Sequence, residues 1–206
     1  MLKRVEFEAK SDSEALKIAA DLLKIQSDKI KIEIIKEKKG LLGLGASTTY
    51  EATPNITLVT EGKVYLENIL QSLEVECRME ARTLNNGNEI HYLVESDENA
   101  LLIGKEGRTL RGLQFMLRNY LNTFVDGHLV VSLDIGNYYE NHKKQLEILA
   151  TKTAKDVART KIAVKLDPMN AYDRRIIHTK LSEWRDVITE SEGEGEERRL
   201  VIKPKK

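Results

Sequence analysis

The chain contains short apolar segments, some with the spacing of a strand and others with the spacing of a helix. Because these two kinds of segment alternate along the chain, it is restricted to small mixed α/β modules. Val5–Glu8 and Ile30–Ile34 alternate apolar and charged side chains, as half-buried strands do. Between them, apolar residues recur at helical spacing over 12–25, directly after the capping-box residues Ser11–Glu14. With a further short strand that ends near Glu51, the first segment is predicted to have the order β-α-β-β.

The middle of the chain predicts a second module with the order α-β-β-α-α-β. The turn at Asn85–Asn88 separates two strand-like segments, because asparagine and glycine tolerate the positive φ of a tight hairpin. The predicted elements are a helix over 62–73, strands over 75–84 and 89–95, a short helix over 98–103, a helix over 108–122 and a strand over 129–135.

The last part of the chain predicts a third module, which combines helices with a short sheet. Its predicted elements are a helix over 138–164, a second helix that starts at Pro168 and carries Arg174–Leu181, and strands over 187–190 and 198–202 around a glycine turn. The fold class is therefore predicted to be α+β, with three small α/β modules that span residues 1–53, 54–136 and 137–206.

Composition excludes several classes of protein. Among 206 residues there is one cysteine, so no disulfide can form within the chain. No apolar run approaches the roughly 18 residues of a membrane span, and the first residues lack the apolar stretch of a secretory signal. We therefore expect a soluble, cytoplasmic protein. Aromatic residues make up 5% of the chain, which predicts aliphatic cores.

The formal net charge of zero hides an uneven distribution of charge. Residues 137–206 hold 16 basic and 12 acidic side chains, whereas residues 54–136 hold 7 basic and 12 acidic ones. Within that acidic segment, residues 101–125 carry four basic side chains against Glu106 alone. A polyanion would therefore meet local basic surfaces, unless these charges only solvate the outer faces of helices.

A glycine-bracketed turn between two predicted helices is the first candidate for nucleic-acid binding. Two glycines let a phosphate backbone approach the main chain, and the N–H groups and dipole at the start of the next helix favour phosphate. The bare pattern is weak, since Gly40–Gly43 matches it between two predicted strands, and an ordinary helix–loop–helix turn is the alternative. The candidate contact residues are Gly104, Lys105, Glu106, Gly107, Arg108 and Arg111.

This turn, placed in the element order α-β-β-α-α-β, resembles a KH domain of the bacterial type II arrangement. The resemblance implies that the loop clamps about four nucleotides of single-stranded RNA or DNA. Glu106 departs from the pattern, because an acid inside the loop repels phosphate unless its side chain points outward. This departure lowers the affinity that we expect but leaves the function unchanged.

Arg174 and His178 form the second candidate, one helical turn apart on one helix face. The spacing alone is weak, and a structural role is the alternative. In that alternative His178 hydrogen-bonds a neighbouring strand and Arg174 pairs with an acid such as Glu190. Both interpretations can hold together, because a pair that locks the fold can also shape a binding surface.

The sequence around this pair is more specific than the pair itself. The run 167–178, followed by 189–193 and 198–202, resembles the Arg-three-His domain, a small α/β module that binds single-stranded nucleic acid. By this resemblance Arg174 and His178 are the signature pair. The additional phosphate contacts suggested here are Arg175, Lys180, Arg198 and Arg199, together with Lys152, Lys155 and Arg159 on the preceding predicted helix.

The order of the three modules, with Lys39–Gly45 in the first, resembles the Jag family, also called KhpB or EloR. The resemblance implies an RNA-binding protein of the bacterial cytoplasm, acting as an RNA chaperone or post-transcriptional regulator linked to cell elongation and peptidoglycan homeostasis. It also implies a smaller single-KH partner protein, KhpA. A homodimer formed through the KH domain is a further candidate partner. The short junction at Thr53–Glu61 departs from relatives that carry a long charged linker there.

The first module offers no chemistry that its residues reveal. Lys38 and Lys39 either touch RNA or border a surface for a cell-wall or membrane protein partner. Histidine and cysteine show no metal-ligand spacing, and no catalytic or cofactor motif is present. We therefore expect no catalytic residues, no metal, no cofactor and no enzymatic activity. The alternative function is an interaction scaffold that dimerises through the KH domain and docks other proteins through the first module.

Overall fold

The computed structural model describes residues 1–38 and 47–205, which divide into two compact units, Met1–Gly136 and Asn137–Lys206. The elements of the first unit are β1 (Val5–Ala9), α1 (Asp12–Leu23), β2 (Ile30–Lys38), β3 (Ser47–Pro54), α2 (Leu58–Ser72), β4 (Arg78–Leu84), β5 (Glu89–Glu95), α3 (Asn99–Ile103), α4 (Arg108–Asn122) and β6 (Val130–Ile135). Those of the second unit are α5 (Tyr138–Thr160), β7 (Val164–Pro168), α6 (Ala171–Leu181), β8 (Val187–Glu192) and β9 (Arg199–Pro204). The predicted α+β class is confirmed.

The first sheet has the strand order β1-β3-β2 with antiparallel neighbours, and α1 packs against it. Helix α1 begins after Ser11, whose Oγ accepts a hydrogen bond from the backbone N–H of Glu14 at 3.3 Å. The Glu14 carboxylate reaches back to the backbone N–H of Lys10 at 2.8 Å, one residue before the cap. The predicted capping signal therefore does start this helix. The buried side chains of α1 are Ala15, Ala19 and Leu23.

The second sheet has the order β4-β5-β6, with β4 antiparallel and β6 parallel to β5. A parallel neighbour requires a crossover, and here α3 and α4 provide it. The hairpin between β4 and β5 holds Asn85, Asn86 and Gly87 at positive φ, as the sequence predicted. The buried face of α4 consists of the four predicted leucines, Leu110, Leu113, Leu117 and Leu121.

A half-buried cluster of polar side chains joins the β-α-β-β segment of the first unit to the segment that follows it. Glu61 of α2 is 8% exposed, and its carboxylate accepts hydrogen bonds from Lys29 Nζ and Tyr120 Oη. The Tyr120 ring stacks on Tyr65 with their centroids 4.2 Å apart. Backbone hydrogen bonds link the same two segments, namely Asn55 N–H to Lys29 O, Lys3 N–H to Phe124 O and Asp126 N–H to Met1 O.

This cluster predicts a dependence of stability on pH. Burial raises the pKa of Glu61, but the hydrogen bonds from Lys29 and Tyr120 outweigh burial and lower it below 4.5. A carboxylate with a lowered pKa stabilises the fold above its unfolded pKa, and this contribution is lost as the pH falls through the folded value. The hydrogen bond to Glu61 raises the pKa of Lys29 above 10.5, so the contribution of Lys29 is lost only in strong alkali.

We expect Glu61→Ala to lower the free energy of unfolding by about 1–3 kcal/mol at neutral pH, because two donors lose a buried acceptor. Chemical denaturation followed by circular dichroism measures this loss. Glu61→Gln keeps an acceptor for Tyr120 but removes the charge, so its deficit in the free energy of unfolding should shrink as the pH falls below the ordinary glutamate pKa of 4.5. A Glu61→Ala deficit that stays constant from pH 7 to pH 3 would contradict the assigned role of the carboxylate.

The third sheet, in the second unit, has the order β7-β9-β8 with antiparallel neighbours. Strand β7 is absent from the sequence prediction, which extended the preceding helix to residue 164. Helix α5 instead ends at Thr160, followed by Lys161 at a φ of 60°. The sequence prediction missed β7 because this strand contributes only two half-buried or buried aliphatic residues, Val164 and Leu166, directly after a long helical pattern.

The start of α6 also differs from the prediction. Pro168 is the last residue of β7 rather than the first residue of the helix. The helix begins at Ala171 because the Asn170 side chain accepts the backbone N–H of Asp173 at 3.0 Å. The core of this unit lies between α5, α6 and the sheet, and includes Leu146, Ala150, Val157, Ile177, Leu181, Leu200 and Ile202.

Candidate nucleic-acid interface

The glycine-bracketed turn is a single tight loop between α3 and α4. Gly104 has φ 68° and ψ 178°, a conformation that only glycine adopts readily, and Gly107 has φ 73°. A Cβ on Gly104 would lie 2.2 Å from Thr109 Oγ1 and 3.1 Å from the Thr109 backbone nitrogen. Gly104 is therefore required both by its backbone conformation and by the lack of room for a side chain, independently of any ligand.

Four charged side chains of the loop region are exposed, and one of them also shapes the turn. Lys105, Glu106 and Arg108 are exposed, and neither basic side chain forms an ion pair with any residue that the structure describes. Arg111 is different, because its Nη1 donates to the backbone carbonyl of Glu106 at 2.8 Å. Of the predicted contacts, Lys105 and Arg108 are thus available to a phosphate, while Arg111 holds the loop.

In the second unit, a buried pair ties α5 to the first turn of α6. His142 Nε2 lies 3.1 Å from Asp173 Oδ2, with both side chains largely buried. The same carboxylate oxygen accepts a hydrogen bond from Asn170 Nδ2 at 2.9 Å. Asp173 of α6 therefore lies against α5 as well as against Asn170, which caps its own helix.

Three adjacent grooves follow these two helices, and we call them together the basic track. The signature groove, of 340 Å³, is lined by Ala171, Arg174, Arg175, His178, Thr189, Ser191 and Leu200. The tyrosine groove, of 460 Å³, is lined by Lys143, Glu147, Tyr172, Arg175, Ile176, Thr179 and Lys180. The lysine groove, of 510 Å³, is lined by Lys144, Glu147, Ile148, Thr151, Lys152, Lys155 and Lys180. Arg175 lines the first two grooves, and Glu147 and Lys180 line the last two, so neighbouring grooves share side chains.

The signature pair is held by the fold. Arg174 is half-buried, and its Nη1 donates to the backbone carbonyl of Met169 at 2.6 Å. His178 Nδ1 lies 2.5 Å from Thr189 Oγ1 on β8, which confirms the predicted bond to a neighbouring strand. The alternative in which Arg174 pairs with an acid such as Glu190 is wrong for the described residues, since Arg174 bonds the Met169 carbonyl and Glu190 pairs with Lys203.

The other predicted basic residues fall into two groups. Arg175, Lys180, Lys152 and Lys155 line the basic track. Arg159 instead pairs with Asp156 at 3.4 Å, Arg199 pairs with Glu197 at 2.9 Å, and Arg198 is exposed, and none of these three lines a groove of the track. Lys39 and the side chain of Lys38 lie outside the described residues.

Sequence reasoning missed several residues of the track. Lys143 and Lys144 lie at helical spacing from Glu147, Ile148, Thr151, Lys152 and Lys155, and this spacing could have identified them. Tyr172 lies three residues before Arg175 and is 55% exposed, an unusual position for a large aromatic side chain. No signal in the sequence, however, places α5 beside α6.

The described part of the chain contains no cluster of three or more histidine, cysteine, aspartate or glutamate residues arranged to hold a metal ion. Within the same residues, no helix is long and apolar enough to cross a membrane.

Comparison with known proteins matches both ends of the chain to families. Residues 7–49 match the Jag N-terminus, and residues 144–204 match the Arg-three-His domain. The RNA-binding protein KhpB of Clostridium symbiosum is 34% identical over 204 residues, covering 98% of this chain and 92% of that protein. KhpB of Bacillus subtilis (strain 168) is 30% identical over 210 residues and is covered over its full length. KhpB of Streptococcus pneumoniae serotype 2 strain D39 is 29% identical over 164 residues, which cover 48% of that protein. With two relatives matched over nearly their whole length, the chain belongs to the Jag/KhpB family.

Proposed function

We propose that this chain is a non-catalytic protein that binds single-stranded RNA along the basic track. The observation that carries the proposal is the charge of the track, because seven lysine and arginine side chains line it against one acid, Glu147. Four of these cations form neither an ion pair nor a side-chain hydrogen bond with any described residue, namely Lys143, Lys152, Lys155 and Arg175. Unpaired cations beside shallow grooves suit a phosphate backbone with unstacked bases. The relatives are named as RNA-binding proteins, which supports both the ligand and the absence of catalysis.

The loop at Gly104–Gly107 is proposed as a second RNA contact, in a KH domain of type II that spans residues 54–136. Three features support this assignment: the element order α-β-β-α-α-β, the parallel pairing of β5 with β6, and the glycine geometry of the loop. In this proposal the chain comprises three modules, 1–53, 54–136 and 137–206. Two RNA contacts on one chain raise the effective concentration of the second once the first is bound.

The finer proposal rests on membership of the family. It is that the protein acts in the bacterial cytoplasm as an RNA chaperone or post-transcriptional regulator, in a process that serves cell elongation and peptidoglycan homeostasis. Its proposed protein partner is the smaller single-KH protein KhpA or a second copy of the chain. Single-stranded DNA is a second ligand with the same backbone charge, and competition with RNA of equal length separates the two.

Fluorescence anisotropy of the intact protein with labelled single-stranded RNA, over a series of salt concentrations, tests the proposal. We expect the logarithm of the affinity to fall linearly with the logarithm of salt, by about 0.7 per phosphate contact. Lys152→Ala/Lys155→Ala and Lys105→Ala/Arg108→Ala should each weaken binding by about 5-fold or more, the effect of removing one charge about 4 Å from a phosphate in water. Each double variant should also lower the salt slope.

The matched control is Arg185→Ala/Lys205→Ala, which removes two exposed cations of the second unit that line no groove of the track. This variant should bind like the unaltered protein. An unaltered protein that does not bind RNA at low salt would refute the proposed function. Equal weakening by the control and by Lys152→Ala/Lys155→Ala would refute the assignment of binding to the track.

A further inference from the structure

The tyrosine groove combines features that a phosphate site alone does not need. Tyr172 lies in the first turn of α6 with more than half of its surface exposed. Arg175, Ile176, Thr179 and Lys180 follow it at helical spacing on the same face of α6, and Lys143 and Glu147 border the groove from α5. An exposed aromatic ring beside an aliphatic side chain offers a platform for a flat, apolar partner.

The charges around the Tyr172 ring indicate which kind of ligand the tyrosine groove suits. Arg175 and Lys143 form no ion pair within the described chain, whereas Lys180 is held by Glu147 at 3.3 Å. A ring with free cations beside it suits a ligand that carries an aromatic group and a negative charge in each repeating unit. Single-stranded nucleic acid is such a ligand, since its bases stack on aromatic side chains while its phosphates meet cations.

We infer that the tyrosine groove is a nucleobase subsite, in which one base of the strand stacks on Tyr172 and the flanking phosphates meet Arg175 and Lys143. This inference rests on the proposed function and deepens it. It adds a contact to a base on a surface where the positive charge by itself would account only for contacts to phosphates. Arg175 also lines the signature groove, and Lys180 also lines the lysine groove, so the subsite lies in the middle of the basic track.

The ion pair of Lys180 with Glu147 limits what else the groove can hold. The Glu147 carboxylate lies at the border shared with the lysine groove, where a phosphate would be repelled. The subsite therefore places a base, rather than a phosphate, next to Glu147. The phosphates are left to Arg175 and Lys143, which form no ion pair within the described residues.

The test compares two fluorescein-labelled probes on the intact protein, a uridine decamer and a decamer of the same backbone without bases. Stacking of one base on an aromatic side chain corresponds to an affinity loss of about 5- to 150-fold on substitution by alanine. Tyr172→Ala should therefore weaken binding of the uridine decamer by at least about 5-fold and leave binding of the abasic decamer unchanged. Tyr172→Phe should bind both probes like the unaltered protein, and the salt slope should be the same in all three proteins.

The control variant is Ile162→Ala, which truncates an exposed apolar side chain of the same unit that lines no groove of the track. Fluorescence of Trp184, which packs against the core of this unit, shows that each variant is folded. If the unaltered protein binds neither decamer, the proposed function fails and this inference fails with it. If the protein binds RNA and Tyr172→Ala binds both decamers unchanged, the base subsite is refuted while the proposed function stands. Equal weakening of both probes by Tyr172→Ala would also refute stacking.

Discussion

Substitution of Arg174 by alanine is expected to lower the melting temperature of the second unit by roughly 10 °C, whereas the same substitution at Arg175 should leave it unchanged. Arg174 donates a charge-assisted hydrogen bond to the Met169 carbonyl at 2.6 Å, between β7 and α6. Such a bond contributes about 1.5–3 kcal/mol, and 1 kcal/mol corresponds to roughly 4–8 °C in a unit of this size. Arg175 is exposed and makes no such bond.

In RNA binding we expect the opposite order of effects, so that Arg175→Ala weakens binding more than Arg174→Ala does. Arg175→Ala removes a free cation from two adjacent grooves, so we expect affinity to fall about 5-fold and the salt slope to fall by about 0.7. Thermal unfolding followed by the fluorescence of Trp184, the one tryptophan of the chain, measures the stability of the unit that contains both arginines. An Arg174→Ala variant with an unchanged melting temperature and weakened RNA binding would instead identify Arg174 as a direct phosphate contact.

This contrast shows how far the sequence could predict the site. The spacing of Arg174 and His178 predicts one helix face, and the surrounding run predicts the correct kind of module. Spacing cannot show that Arg174 turns to a backbone carbonyl two residues before its own helix begins, or that His178 meets Thr189 of another element. The sequence left a binding role and a structural role open for Arg174, and the structure shows the hydrogen bond of the structural role.

The sequence predicted correctly those features of the fold that depend on residues within a single element. The leucine face of α4, the hairpin of asparagines and glycine, and the cap of α1 all depend on residues within one turn or one helix. Strand β7 and the start of α6 were mispredicted because β7 is specified by its pairing with β9 rather than by its own five residues. The track was incompletely predicted for the same reason, since Tyr172 and Lys143 meet only through the packing of α5 on α6.

The loop at Gly104 illustrates why geometry must guide the choice of variants. Placing aspartates at Gly104 and Gly107 would test phosphate binding by repulsion. Because a Cβ at Gly104 would meet Thr109 at 2.2 Å, that substitution should disturb the loop even without RNA. Lys105→Ala/Arg108→Ala removes charge from exposed side chains and leaves the backbone intact, so its effect on affinity reports on binding itself.

Two helical glycines in the first unit provide the other large expected effect, because the structure predicts opposite signs for the same substitution. Glycine inside a helix costs about 1 kcal/mol relative to alanine, so helix propensity alone would favour alanine at both Gly62 and Gly112. Around Gly112 no atom lies within 4 Å of an added Cβ, and we expect that substitution to stabilise the unit by about 0.5–1 kcal/mol.

At Gly62 an added Cβ would lie 2.0 Å from Tyr92 Oη, 2.6 Å from Tyr92 Cζ and 3.1 Å from Leu121 Cδ1. Tyr92 is buried, and its hydroxyl lies 3.2 Å from each of the carbonyls of Leu58 and Val59, which share its one proton as acceptors, so the ring cannot swing aside without losing a buried hydrogen bond. Gly62→Ala should therefore destabilise the unit by about 1–3 kcal/mol or more, which exceeds the gain in helix propensity.

Guanidinium denaturation followed by circular dichroism measures both substitutions. Tyr92→Phe removes the closest atom, so the cost of Gly62→Ala should be smaller in a Tyr92→Phe background than in the unaltered chain, and the cycle isolates this contact. A Gly62→Ala variant at least as stable as the unaltered protein would show that α2 does not pack on Tyr92 as described. A cost that is the same in both backgrounds would place the strain at the contacts that Tyr92→Phe leaves in place, which are the ring carbon Cζ at 2.6 Å and Leu121 Cδ1 at 3.1 Å.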